Sequence, residues 1–244
     1  MKKLMVVLAG ILMFAVATTA FADVKVTVGA KVWANKWDWK VEDNISGTSK
    51  TWDNGNSLMA GPTLNLRLGD HFFVGASYLV STKDYESSDW YTTTDTMAFK
   101  RKDLDVTMGV MFSRYFGMFA GYKTIDADET YSDIGVPKTP NGTWSLKGPG
   151  FGLIASIPLG RSAAIYGNFA VMKMKDEYTS PSGATSPSTD YAGGSVELGL
   201  AAAFSDHFSS TLGYKLQSFK GDVSATQTDT HTFSGVTFGL NLTF

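Results

Sequence analysis

From residue 23 onward apolar side chains recur at every second position, with very little at the three-to-four spacing of a helix, so the chain reads as strands. Four short turns organise them. Leu64, Leu66 and Leu68 alternate into Gly69-Asp70-His71 and resume at Phe72, and Met108, Val110 and Phe112 run into Ser113-Arg114-Tyr115 and resume at Phe116. Leu153, Ala155, Ile157 and Leu159 lead through Gly160-Arg161-Ser162 to Ala163, and Leu200, Ala202 and Phe204 lead through Ser205-Asp206-His207 to Phe208. Six residues beyond each exit the same face carries Tyr78, Tyr122, Phe169 or Tyr214, and the exits recur every 44 to 47 residues.

Two strands flank each short turn. A first strand over about Val24 to Val41 and a last over about Thr230 to Phe244 bring the count to ten. The connections on the other side are long and polar: about Asp43 to Asn56, Thr82 to Lys102, Asp126 to Thr143, Lys175 to Gly194 and Lys220 to Asp229. Short turns at one end, long loops at the other and an even strand number predict an all-β fold, a ten-stranded antiparallel transmembrane barrel. Six residues at about 3.3 Å span roughly 20 Å of strand, which suits the apolar band of such a barrel. Phe72, Phe116 and Phe208 are then the periplasmic aromatic girdle, and Tyr78, Tyr122 and Tyr214 approach the outer one, with Trp37 and Trp39 near the top of the first strand.

One uninterrupted apolar run exists, and it opens the chain: Lys2 and Lys3, then Leu4 to Ala17, then Ala20-Phe21-Ala22. That is the order of a secretory signal cleaved after Ala22, which divides the chain into a leader, 1–22, and a barrel domain, 23–244. Taking Lys2 and Lys3 from 21 basic residues leaves 19 against 23 acidic ones, which argues against nucleic acid as a partner. There is no Cys for a disulfide, a thiolate metal site or a thiol nucleophile, no Ca²⁺-loop spacing is met, and no cofactor is implied. Sixteen strands of about ten residues would use about 160 of the residues after the leader and leave too few for the connections, so a full-size porin is excluded.

The terminal run ends in Phe238, Leu240, Leu242 and Phe244 at alternate positions. It resembles the C-terminal assembly signal of Gram-negative outer-membrane proteins, and with the leader and hairpin repeat the whole mature chain resembles the small outer-membrane β-barrel family. The resemblance implies location in the cell outer membrane among lipid and lipopolysaccharide, with periplasmic chaperones and the barrel assembly machinery as partners in biogenesis. It implies no substrate.

With even positions toward lipid on most strands, and the opposite parity around Phe151 to Ile157, the inward set holds Lys25, Lys31, Asn65, Arg67, Asp105, Thr107, Lys123, Glu197, Lys215, Gln217, Thr237 and Asn241, joined by Tyr166 and Asn168. A Lys or Arg facing hydrocarbon at the midplane costs about 2 to 4 kcal/mol, which decides the faces. Eleven glycines share the inner face, where they make room for large neighbours, relieve bending or leave an opening. Five inward cations (Lys25, Lys31, Arg67, Lys123, Lys215) face two anions (Asp105, Glu197), while Arg101 and Asp103 cancel at the rim. Two readings follow: an internal ion-pair network that plugs the barrel, or a narrow channel for small, preferentially anionic or polar solutes. The channel is the first expectation, the plugged structural or surface-binding barrel the second.

A third is a rim hydrolase. Asp229-x-His231 begins the last strand on the inward parity, and Asp126-x-Asp128 tops the fifth. Ten strands with these pairs at the outer rim are similar to the omptin proteases, where such pairs position an attacking water. Asp126 and Asp128 fall on the lipid-facing parity unless a bulge intervenes. His71 and His207 sit in periplasmic turns as interfacial polar residues. The stretch Ser180 to Thr189 has a mobile composition, and the acid and aromatic mixtures around Asp84, Tyr85, Glu86, Trp90 and Tyr131 suit a solvated loop surface.

Overall fold

The computed structural model describes residues 24–88, 95–134 and 136–244. The predicted leader lies outside them, as does Trp90. The described chain forms β1 (Val24–Asp43), β2 (Ser49–Leu68), β3 (Phe72–Ser81), β4 (Tyr85–Ser88), β5 (Thr96–Met111), β6 (Phe116–Asp133), β7 (Val136–Pro158), β8 (Ala163–Thr179), β9 (Thr189–Ala203), β10 (Phe208–Asp222) and β11 (Gln227–Thr243). Consecutive strands pair antiparallel except β3 and β4, β3 pairs β5 directly, and β11 pairs both β10 and β1, so the sheet closes on itself. β4 continues the line of β3 along β5 after a break at 82–84, which gives ten staves from eleven strands.

Local chemistry sets three of the four short turns. Ser113 Oγ accepts from the amides of Tyr115 and Phe116, each at 3.2 Å, and Ser205 Oγ accepts from those of His207 and Phe208 at 3.3 and 3.1 Å. Each serine therefore caps its own hairpin. Gly69 takes φ +61° at the β2–β3 turn, a conformation side chains other than Gly adopt poorly. His71 Nδ1 lies 3.0 Å from the Met111 carbonyl and His207 Nδ1 2.9 Å from the Thr243 carbonyl, so both histidines tie a turn to a neighbouring strand.

The predicted lipid face is observed. Phe72, Phe116 and Phe208 point outward near the short turns, and Tyr78, Tyr122, Phe169 and Tyr214 point outward above them. Trp37 does not join the outer girdle, because it stands on the inward parity of β1 and is buried in the lumen. Two β2 residues, Asn54 and Gly55, oppose Trp37 in a bulge between Lys36 and Asp38.

The predicted long loops are mostly strand. β6 continues from Tyr122 to Asp133, about 36 Å of strand at 3.3 Å per residue, and β7 begins at Val136. Outside the bilayer the outer face needs no apolar side chains, so the wall continues with Lys36, Lys102, Asp126, Lys147 and Lys220 outward while the strands stay paired through a few bulges. The barrel is therefore a membrane band carrying a strand-built head.

Candidate functional site

The lumen has three layers. The lowest is a cavity of about 390 Å³ whose wall includes Thr63, Asn65, Thr107, Asn168, Thr211 and Asn241. Lys25 and Arg67, partners across the β1–β2 ladder, stand on inward positions yet are exposed, which marks the periplasmic end as open.

The middle layer is ionic. Glu197 accepts from Lys31 at 2.8 and 2.9 Å, from Tyr166 Oη at 3.0 Å and from Thr237 Oγ1 at 2.9 Å. Arg101 grips Asp103 with two parallel bonds of 2.7 Å and lies 3.7 Å from the Phe233 ring centre. Lys123 donates to both Asp105 oxygens at 3.0 Å and to Asp103 at 3.2 Å. Arg101 and Asp103, expected at the rim, are thus deep in the molecule and fully buried. Their strand runs on above them to Thr96, which turns an anticipated rim into a midpoint. This layer holds four cations, Lys31, Arg101, Lys123 and Lys215, against three anions, Asp103, Asp105 and Glu197.

The upper layer is an apolar stopper. Each strand contributes a buried inward side chain: Trp33, Met59, Leu79, Tyr85, Phe99, Ile125, Leu146, Met174, Tyr191, Phe219 and Phe233, in chain order. Trp37 stacks on Trp144 at 5.6 Å and packs against Phe233, Phe99 and Tyr85. Tyr85, read from sequence as part of a solvated loop, is a fully buried member of this core because β4 is strand and faces inward.

The interior glycines serve the packing rather than an opening. A Cβ on Gly109 would meet the Phe73 ring at 2.5 Å, one on Gly152 the Phe119 ring at 2.7 Å, and one on Gly221 the Tyr191 ring at 2.6 Å. Each of these three glycines leaves room for an aromatic ring from the neighbouring strand.

The candidate rim residues separate. Asp126 and Asp128 face outward, since the first β6–β7 irregularity lies above them between Glu129 and Thr130. Asp126 accepts from Ser145 Oγ at 2.6 Å, and Asp128 binds Lys102 at 2.5 Å and Thr143 at 3.1 Å. Asp229 and His231 face inward, but Asp229 accepts from Trp39 and Gln227, and His231 Nδ1 accepts from Trp37 Nε1 at 3.4 Å. Trp144, Trp39 and Tyr191 surround that imidazole. Burial, aided by the Arg101 charge, holds its pKa down at about 3. His231 is a neutral member of an aromatic box, and the Asp pair and the Asp-His pair lie on opposite sides of the wall. The inward carboxylate that accompanies Asp229 is instead Asp176 of β8, pushed up to about 6 by burial, with Asp229 adding in the same direction. Among the described residues no cluster of three or more metal-ligating side chains occurs.

Residues 84–244 match the family model described as the outer membrane protein beta-barrel domain. The chain belongs to that family. This outer-membrane barrel is a protein of the Gram-negative outer membrane. It is similar to the outer membrane protease OmpT from Escherichia coli, at 14% identity over 90% of this chain and 97% of that one, with a TM-score of 0.56. Lesser likenesses are to Neisserial surface protein A, 10% identical over 90% and 97% of the chains with a TM-score of 0.41, and to the toluene transporter TodX from P. putida, 12% identical over 93% and 92% with a TM-score of 0.35. At such identities the resemblance is one of fold. No curated protein matches the sequence. The terminal Phe238, Leu240, Leu242 and Phe244 of this barrel face outward, where Phe244 exchanges backbone bonds with Val26 at the seam.

Proposed function

We propose that the protein is a shut, non-enzymatic outer-membrane barrel, a blind periplasmic vestibule below a packed stopper, whose head is a structural or binding element at the cell surface. The observation that supports this reading is a closed ring of buried inward side chains with one member from every strand. A continuous water path would leave some of that ring exposed, as it leaves Lys25 and Arg67 exposed below. The cations expected to line an anion-preferring channel, Lys31 and Lys123, are engaged by Glu197, Asp103 and Asp105. On this reading the leader ending near Ala22 directs export, the terminal aromatic run serves assembly, and lipid and lipopolysaccharide surround the band.

A gated channel for small anions is the second reading, favoured by the cationic roof of the vestibule; it requires the stopper and the Arg101–Asp103–Lys123 group to come apart. Planar-bilayer recording of the purified protein separates the two. The wild type is expected to show no steady unitary conductance, and the double variant Trp33→Ala/Phe233→Ala to show discrete steps. A steady, anion-selective wild-type conductance would overturn the shut barrel in favour of the channel.

A further inference from the structure

The roof of the vestibule is complete neither in its charge pairing nor in its hydrogen bonds. Lys215 is buried, yet its Nζ lies 3.9 Å from the nearest carboxylate, Asp105 Oδ2, whose own carboxylate is held by Lys123 through both oxygens. Its other neighbour is the Trp33 ring, 5.0 Å away. In a layer of four cations and three anions, Lys215 is the cation left without a hydrogen-bonded counter-ion. Two residues along the same strand, Gln217 also lines the cavity and is 1% exposed. Its Nε2 donates to Ser195 Oγ at 3.2 Å, and its Oε1 has no partner. Whichever way the amide is turned, one end meets Ser195 and the other is left over. A buried ammonium and a buried amide with bonds to give are costly unless something completes them.

The cavity below is of the size that takes small ligands, and its Thr and Asn side chains offer hydroxyl and amide partners. Lys25 and Arg67 at the mouth add positive potential on the path in. We propose that the vestibule is a binding site for a small hydroxylated carboxylate entering from the periplasm, its carboxylate on Lys215 Nζ and a hydroxyl on the free end of Gln217. The inference builds on the blind lumen described above and names its occupant.

Isothermal titration of the folded barrel in detergent micelles tests it, with glucuronate as the probe, glucose as its uncharged counterpart and acetate as the bare charge. Glucuronate is expected to saturate a single site, with glucose and acetate each at least tenfold weaker. Lys215→Met and Gln217→Leu should each weaken glucuronate at least tenfold, while Lys215→Arg, which keeps the charge, retains most of the binding and shows that the site tolerates substitution. Absence of saturable wild-type binding, or binding indifferent to Lys215→Met in a folded variant, would overturn the proposal. Bilayer conductance reports the state of the lumen independently, so loss of binding in a non-conducting barrel refutes the ligand and leaves the shut barrel standing.

Discussion

Glu197 shows how the lumen tolerates charge. Its four accepted bonds come from β1, β8 and β11, so one carboxylate on β9 ties together strands from both ends of the chain. Removing it leaves the Lys31 ammonium and two hydroxyls without their shared acceptor. Glu197→Ala is expected to cost about 3 to 5 kcal/mol, and the paired change Lys31→Met/Glu197→Leu markedly less, because breaking a buried pair is worse than replacing it. Urea unfolding in lipid vesicles would measure both. At the same scale His231 teaches the opposite lesson: an Asp-x-His spacing suggested chemistry, while the surrounding rings and the Trp37 bond make the imidazole a packing group.

Strands carry the next level, and their glycines discriminate between two kinds of site. A methyl on Gly152 runs into the Phe169 carbonyl oxygen and meets the Phe119 ring at 2.7 Å, whereas one on Gly167 meets Leu198 at 3.5 Å and the Glu197 carbonyl oxygen at 3.7 Å, both ordinary contacts. Gly152→Ala is therefore expected to destabilise by about 1 to 3 kcal/mol and Gly167→Ala to be close to neutral, read by the same unfolding titration. The membrane band was legible in the sequence because hydrocarbon demands an apolar residue at each outward position, so Leu212, Tyr214 and Leu216 declare their face. The head was not, because there the pattern changes phase. On β10 the apolar parity passes from Leu216 outside to Phe219 inside; on β11 it passes from Val236 outside to Phe233 inside. Following one continuing face past Leu216 leads to polar Lys220, where the expected loop to Asp229 begins, although strand runs on to Asp222 and resumes at Gln227. The half-turn of phase itself was the available signal, and it also hides the stopper, since Trp37 looks like a girdle residue until its parity is followed. The ion pairs were half legible: parity put Lys31, Lys123 and Glu197 inside, but only the extra strand length above Arg101 and Asp103 makes those two central.

Taken whole, the molecule joins two kinds of protein end to end, a barrel greasy outside and polar within, and above it one polar outside and greasy within. The head should then titrate like a soluble domain. Asp176, raised to about 6 by burial, carries a penalty that is absent below its ordinary pKa of 3.8, grows as pH rises, and is complete above about 6. Asp176→Asn is expected to be more stable than the wild type at pH 7, by on the order of 1 kcal/mol after allowance for partial solvent screening, with the difference closing toward pH 4. Unfolding midpoints of the two proteins across that range would check it.

The stopper also dictates an order of events. Trp37 near one end of the chain packs on Phe233 near the other, with Trp144 from the middle between neighbouring rings. None of these contacts is local, so the loop entropy of almost the whole chain is lost before any of them forms. The aromatic cluster cannot assemble on an open sheet and comes together only as β1 meets β11. Closure of the seam and drying of the upper lumen are one step, and quenching or blue shift of indole emission during refolding would mark the moment the barrel shuts.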